Sequence, residues 1–289
     1  MDETPVTVIV PTLGRIAQLK ACLASLAECE PRAREVLVVD QSGSPEVRQL
    51  AERYSRSGAR YLYSEPRSQA RASNLALREA KHESVLFTDD DCTVERSWVA
   101  TAVAALGRDS ATIVTGSVLA PRGAGHVPST IDDPTPREYA GELMVDALYA
   151  GNMACERSAV LAIGGFDERL VVAAADNDLC WRWLRAGRRI RYEPAMVVWH
   201  HDWRSPEQLD KLYVRYARGQ GAFYGKHLRL GDRAILKFLV RDLLYAGRAA
   251  LTALSRGALR VDPWARGIIR AMPRGLVDGW RAARPRAPQ

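Results

Sequence analysis

The stretch that most restricts what this chain can fold into is Val85-Leu86-Phe87-Thr88-Asp89-Asp90-Asp91-Cys92. A short apolar run is followed at once by three adjacent carboxylates, the pattern of a buried parallel strand with a charged C-terminal end. In open α/β sheets, ligands gather beyond the carboxyl ends of the strands. Three neighbouring carboxylates repel one another and destabilise a fold unless a cation or hydrogen bonds compensate them. Asp89 and Asp91 stand two apart, so an extended chain projects both the same way. Hard oxygen ligands so placed suit Mg²⁺ or Mn²⁺, cations that also partner a diphosphate. The competing reading is a solvated acidic turn, and it loses weight only through the matching parts found elsewhere in the chain.

Val6-Thr7-Val8-Ile9-Val10 is a β-branched run stopped by Pro11, which predicts a first buried strand. Thr12-Leu13-Gly14-Arg15 reads as a turn, and Ile16, Leu19, Leu23 and Leu26 then recur at helical spacing. Val36–Val39 predicts a second strand ending in Asp40, after which Ser44 can cap a helix with Pro45 at its first position. Arg60–Tyr63 predicts a third strand, Ser68–Ala80 a helix and Val85–Thr88 a fourth strand. Trp98–Leu106 predicts a helix, Thr112–Thr115 a strand ending at Gly116, and Pro121–Pro136 a mobile loop. Ala150–Ala154 predicts a short strand, and Ser158 the cap of a brief helix ending at Gly164-Gly165. Asp176–Ala186 predicts a helix that buries Leu179, Trp183 and Leu184 and stops at Gly187. Two closing strands, Arg189–Tyr192 and Met196–Trp199, lead into His200-His201. Alternation at this pitch implies a parallel, doubly wound α/β sheet. Right-handed crossovers then set the strand C-termini, with their Asp residues, on one edge.

After Ser205-Pro206 the pattern turns helical, and from Ala246 to Gln289 it is rich in Arg and broken up by Pro and Gly. The expected organisation is an α/β domain over 1–204 and a basic, amphipathic helical region over 205–289. The 289 residues are 47% hydrophobic and 26% charged, ordinary for a soluble globular protein. A net charge of +7 favours anionic partners such as nucleotide phosphates or an anionic membrane. No basic run with interleaved aromatics resembles a nucleic-acid surface, so nucleic acid is not an expected partner. Five scattered cysteines argue against a disulfide framework and against zinc, and predict buried thiols in a reducing compartment. The acidic start carries no signal-peptide pattern, and no stretch reaches the ~20 apolar residues of a spanning helix. A cytoplasmic protein is expected, with contact at the inner face of the membrane left open.

Val6–Arg15 (VTVIVPTLGR), Val36–Asp40 (VLVVD), Arg71-Ala72-Ser73-Asn74, Phe87–Asp91 (FTDDD), Gly151-Asn152-Met153, Gly164–Glu168 (GGFDE) and Asp176–Leu179 (DNDL) form an ordered series. Together they resemble the family 2 glycosyltransferases of the GT-A fold, over roughly residues 5–202. The resemblance implies an inverting transfer of a sugar from a nucleotide-diphosphate donor, of UDP- or dTDP-sugar type, to an acceptor hydroxyl in cell-surface glycan or glycolipid synthesis. It implies Asp89 and Asp91 as metal ligands, with His200 completing the shell, His201 as fallback, and a tilt towards Mn²⁺ over Mg²⁺. Pro11, Thr12, Arg15, Asp40, Arg71, Asn74 and Asp90 are implied on the nucleotide and donor side, Asp90 pointing away from the metal. Asp40 can equally cap its turn, Arg71 can be a surface residue, and Asn74 can bond a nearby loop. Gly165, Phe166 and Glu168 are implied on the acceptor side, or else form a helix stop with a core aromatic. Asp176 is implied as general base, although a carboxylate at a helix start also caps free N–H groups. The family's usual Glu before that base is replaced by Ala175, within Val171–Ala175.

Asp89-Asp90-Asp91-Cys92-Thr93 also fits the nucleophile motif of a haloacid-dehalogenase-type phosphatase, but three strands precede it where that fold expects none. A nucleotidyltransferase would want a Gly-rich basic loop after the first strand, which Pro11–Arg15 matches poorly. A degenerate, non-catalytic nucleotide-sugar-binding scaffold is the remaining alternative, prompted by Ala175. In the C-terminal region Tyr213, Tyr216, Phe223, Tyr224 and Phe238 are candidates for an apolar face under a basic one. The later part, with Trp264 and Trp280, is a candidate for an anionic membrane surface, as a lipid-linked acceptor would require.

Overall fold

A computed structural model of the chain describes residues 2–65, 68–107, 109–170, 172–201, 204–255 and 261–283. Val171, position 202 and the Arg-rich stretches 256–260 and 284–289 lie outside the described residues. Contacts divide the chain into two units, residues 1–166 with 179–202, and residues 167–178 with 203–289. The first unit runs β1 (Glu3–Thr12), α1 (Ile16–Ala27), β2 (Arg32–Asp40), α2 (Pro45–Arg53), β3 (Ala59–Tyr63), α3 (Gln69–Glu79), β4 (Ser84–Thr88), β5 (Cys92–Val94), α4 (Trp98–Leu106), β6 (Thr112–Leu119), β7 (Arg137–Tyr139), β8 (Asn152–Glu156), α5 (Arg157–Ala162), most of α6 (Ala175–Arg185) and β9 (Arg189–His200).

The sheet order is β3-β2-β1-β4-β8-β6-β9-β5, with β7 on β9. β3, β2, β1 and β4 are parallel, as alternation predicts, whereas β8 runs antiparallel between β4 and β6. The sheet is therefore mixed rather than wholly parallel. Val6, Val8 and Val10, Val36 and Val38, and Leu86 form one buried cluster with Leu19, Cys22, Leu23 and Leu26 of α1. That explains the near-continuous apolar runs in the sequence. All five cysteines are buried and free. Leu179, Trp183 and Leu184 are buried as expected, and Ser44 caps α2 by accepting from the Glu46 N–H at 3.2 Å.

Four boundaries differ from expectation, each for a local reason. Pro11 does not stop β1; it stands in register with Val39 of β2. Gly116 does not end β6 but lies inside it. A Cβ there would collide with the Met196 carbonyl, so glycine lets the irregular part of β9 approach. The two closing strands are one, because β9 runs through that irregularity from Arg189 to His200. Ser158 does not cap α5: the N-cap position is Glu156, and the Ser158 N–H donates to Glu83 Oε1 at 2.8 Å.

One side chain ties the sheet together. Asn152 is fully buried. Its amide donates to the carbonyls of Ser117 (2.8 Å) and Met196 (2.7 Å), and its oxygen accepts from Trp98 Nε1 at 2.9 Å. It thus joins β8, β6, β9 and α4 with both amide donors and its oxygen in use.

The second unit holds α7 (Pro206–Arg229), α8 (Leu236–Ser255) and α9 (Pro263–Ala282). Ser205 and Gln208 form a reciprocal capping box at the start of α7. The Pro and Gly residues of the tail do not break α9, which runs through Pro273. Its glycines face α7: Cβ atoms at Gly275 and Gly279 would strike the carbonyls of Arg218 and Ala222, and at Gly221 and Gly225 those of Met272 and Leu276. The two helices therefore meet backbone to backbone. Phe223, Tyr224 and Phe238 are buried in this unit rather than forming an apolar surface. Trp264 is half-buried, and Trp280 is exposed beneath Arg229, 5.3 Å from its ring centroid.

A buried charge cluster fastens the segment 167–178 to α7. Lys226, 3% exposed, pairs with Asp167 (Nζ to Oδ2, 2.6 Å) and with Asp178. His227 Nε2 lies 2.8 Å from Asp178 Oδ1, and its ring packs edge-on against Phe223 at 5.0 Å. Burial alone would raise the Asp167 carboxyl, but Arg169 and Lys226 outweigh it and bring it down to about 2.

Two measurements check this account. Gly279→Ala should destabilise the chain by about 1–3 kcal/mol in denaturant unfolding, through overpacking against α7. Gly247→Ala in α8, where a Cβ meets nothing within 4 Å, should instead stabilise it slightly. The depressed Asp167 value stabilises the fold fully above its ordinary 3.8 and is lost as pH falls towards about 2. The stability gap between the parent and Asp167→Asn should accordingly be constant at neutral pH and close across that acid window.

Candidate functional site

β4 delivers the three carboxylates to the sheet edge, but the chain then turns instead of staying extended. The Cys92 N–H donates to the Asp89 carbonyl at 3.1 Å, closing a turn over Asp89–Cys92. The expected alternation of side chains is therefore absent, yet the turn still gathers the acids. Oxygens of Asp89 and Asp91 and the Cys92 sulfur lie within 4.8 Å of one another. Burial, with Asp89 and Asp91 next, pushes the Cys92 thiol well up, and thiolate is in any case a soft ligand that suits Mn²⁺ or Mg²⁺ poorly.

Asp90 is the carboxylate the fold compensates by itself. It is wholly buried, accepts from the Thr12 hydroxyl at 2.6 Å and from Arg15 Nε at 3.0 Å, and forms an ion pair with the same guanidinium. Thr12 in turn accepts from the Gly14 N–H at 3.1 Å. Thr12 and Arg15, implied by the resemblance on the donor side, thus hold Asp90. Arg15 also approaches Asp91 to 3.7 Å.

Asp89 keeps a raised affinity for protons. Burial first, then Asp91, pushes it up to about 6, while His200 and Tyr149 pull the other way. The Tyr149 hydroxyl donates to Asp89 Oδ2 at 3.1 Å. Gly151 leaves the space that this carboxylate and the Tyr149 ring occupy, since a Cβ would clash with both. Sequence reasoning marked Gly151 as part of a motif but missed Tyr149, which carries no spacing signal.

β9 supplies the histidine. Cys92 of β5 stands opposite His200, and the His201 N–H donates to the Asp91 carbonyl at 3.0 Å. His200, 4% exposed, sets Nδ1 3.1 Å from the Pro128 carbonyl and Nε2 3.6 Å from Asp91 Oδ1. A carbonyl only accepts, so Nδ1 carries a proton, and Nε2 is the ring nitrogen that faces the acids. His201 instead meets the Thr93 hydroxyl at 2.9 Å. Two carboxylates and an imidazole nitrogen form a donor set of the kind that fits Mn²⁺ or Mg²⁺.

The remaining expected residues divide between the two units. Asp40 is fully buried, and its oxygens accept from the Ser42 N–H (2.7 Å) and hydroxyl (2.6 Å), the Gly43 N–H (3.0 Å) and the Tyr61 hydroxyl (3.0 Å). That is the turn-capping arrangement. Pro11 is half-buried at the end of β1, and Arg71 is exposed on the first turn of α3. Asn74 donates to the Phe166 carbonyl at 2.8 Å and accepts the Phe166 N–H at 2.9 Å. Gly165, at φ +63, leaves room for the Asn74 oxygen. Phe166 stacks edge-on against Phe87, centroids 5.8 Å apart. Asn74, Gly165 and Phe166 thus form one staple between α3 and the loop.

Glu168 and Asp176 belong to the second unit. Both are half-buried, and Asp176 occupies the first turn of α6, its Oδ1 accepting from the Asn177 N–H at 2.9 Å. Ala174, two residues earlier, adopts φ 66, a left-handed backbone uncommon for alanine. The charge cluster of Lys226, Asp178 and Asp167 brackets Asp176 in sequence. No periodicity revealed Lys226 or His227, which lie on a helix whose partner segment is far away in the chain.

Comparison with known proteins finds relatives for this chain. Residues 7–146 match the family described as Glycosyl transferase family 2. A curated relative, the pre-mycofactocin glycosyltransferase of Mycobacterium tuberculosis, is 29% identical over 237 residues, covering 76% of this chain. The chain spans 46% of that relative's length. Among solved structures, the mannosyltransferase PcManGT from Pyrobaculum calidifontis, in complex with GDP-Man and Mn²⁺, superposes with a TM-score of 0.62 at 21% identity, over 95% of this chain and 85% of its own. S. aureus TarS 1-349 with UDP-GlcNAc reaches 0.57 at 20% identity, over 75% and 66%. At these identities the structural likeness carries the fold alone, and that fold is GT-A. Residues 7–146, just under half of the chain, are thus similar to glycosyltransferase family 2, on a GT-A fold.

Proposed function

We propose that this protein is a metal-dependent, inverting glycosyltransferase that moves a sugar from a nucleotide-diphosphate donor, of UDP- or dTDP-sugar type, to the hydroxyl of a glycan or lipid-linked acceptor in cell-surface glycan or glycolipid synthesis. The observation that carries the reading is the donor set of Asp89, Asp91 and His200, next to an Asp90 already neutralised by Arg15 and Thr12. Two clustered carboxylates beside an imidazole nitrogen suit a divalent cation. The nucleotide sugars bound by PcManGT and TarS, and the Mn²⁺ of the former, support a donor of this class. A bound cation supplies positive charge to the leaving diphosphate.

The residues of this chain have separate tasks in that reading. Asp89 and Asp91 hold the cation, and Pro128 keeps the His200 ring in the tautomer that can join them. Asp40 shapes the loop after β2 on the nucleotide side, and Arg71 is the cation on α3 for the donor. Asn74 fixes Gly165 and Phe166 on the acceptor side. Asp176 takes the proton from the attacking hydroxyl, a role the metal-bound acids cannot share. Glu168 is its rival. The phosphatase reading gains nothing from the family match, and a non-catalytic scaffold would not need Asp89, Asp91 and Asp176 together.

A thermal-shift panel of nucleoside diphosphates, with and without Mn²⁺, names the donor base, because a ligand of the native state raises the melting point. Asp89→Asn and Asp91→Asn should each abolish the Mn²⁺-dependent shift with the fold intact; unchanged shifts in both would remove the metal assignment. Asp176→Asn should keep donor binding while turnover falls by about two to four orders of magnitude. Survival of turnover there, with loss in Glu168→Gln, would transfer the base to Glu168.

A further inference from the structure

The helix α8 has two faces of opposite kind. Phe238, Leu239, Asp242 and Ala246 are buried, and Asp242 accepts from the buried Tyr224 hydroxyl at 2.6 Å. Outward stand Leu236, Val240, Leu243, Leu244, Leu251 and Leu254, from 42% to 76% exposed. At 3.6 residues per turn these six fall within an arc of about 100°, so they form one continuous stripe. Gly247 lies in the same arc and leaves the stripe flat. Lys237, Arg241 and Arg248, all exposed, run along one edge of it. Long basic side chains at such an edge can lay their stems on apolar surface and keep their charge in water.

The charge of the chain decides what covers the stripe. Residues 205–289 contain seventeen of the 41 Lys and Arg but only six of the 34 Asp and Glu, so the remainder of the chain is net acidic. A second copy of the stripe would bring this cationic region against itself. Nucleic acid would match the charge and leave the leucines in water. An anionic lipid surface matches both at once. No helix among the described residues is long and apolar enough to cross a membrane, so α8 has the character of a helix lying in the interface.

We propose that α8 docks this chain on an anionic membrane surface, with its leucine stripe among the acyl chains and Lys237, Arg241 and Arg248 at the headgroups. The sequence directed attention to the segment around Trp264 and Trp280; exposure and periodicity move the docking element to α8. The docking does not rest on the transfer reaction and is tested without it.

The full chain is sedimented with vesicles of phosphatidylcholine alone and of equal parts phosphatidylcholine and phosphatidylglycerol, at low and high salt. It should sediment with the anionic vesicles and not with the neutral ones. Leu244→Asp/Leu251→Asp, at exposed positions that leave the melting temperature unchanged, should lower the partition at least about tenfold. Lys237→Gln/Arg248→Gln should lower it about fivefold per removed cation and flatten its salt dependence. Absence of binding to anionic vesicles overturns the proposal. So does equal binding by the leucine variant, which would leave only diffuse charge attraction. Light scattering supplies the last outcome: a dimer dissolved by the leucine variant, with no vesicle binding, assigns the stripe to a second copy and also overturns it.

Discussion

Three carboxylates in a row at the end of a buried strand cannot all be left to repel one another, and the fold around β4 answers each differently. Asp90 turns inward to Arg15 and Thr12, which come from the exit of β1, the neighbouring strand. Asp89 receives one hydrogen bond, from Tyr149, and Asp91 faces the His200 ring. Desolvation without full internal compensation is what leaves Asp89 with its raised value. The order β1–β4 in the sheet, the length of β9 and the missing side chain at Gly151 all serve this one electrostatic problem.

Where burial and local geometry set an element, the sequence was legible. The apolar runs of β1, β2 and β4, the capped start of α2 and the buried face of α6 follow from residues within a few positions of one another. What escaped reading depends on partners distant in the chain. β8 shows only five residues and no alternation, so its antiparallel insertion between β4 and β6 is visible only through its neighbours. Gly116 looks like a strand end until the Met196 carbonyl occupies the space beside it.

The site was legible to a similar degree. The clustered pair Asp89 and Asp91 and the histidine at the end of β9 came from the residue pattern and the family resemblance. Thr12, Arg15, Asp40 and Asn74 also bind the protein itself, which the sequence alone did not show. An Asn or Asp beside a turn has the same spelling whether it meets a ligand or a backbone amide. The structure supplies the backbone partners of Asp40 and Asn74 that the spelling leaves out.

The glycine contact between α7 and α9 has a consequence for where the large side chains go. Helices that meet through backbone atoms lose almost no rotamer freedom on packing and leave little volume between them for leucine. Small residues at a helix–helix contact are usual for helices assembled in lipid, where close backbone approach carries the packing. In this respect the contact between α7 and α9 has the small-residue character of a lipid-assembled pair, while the leucines of α8 face outward.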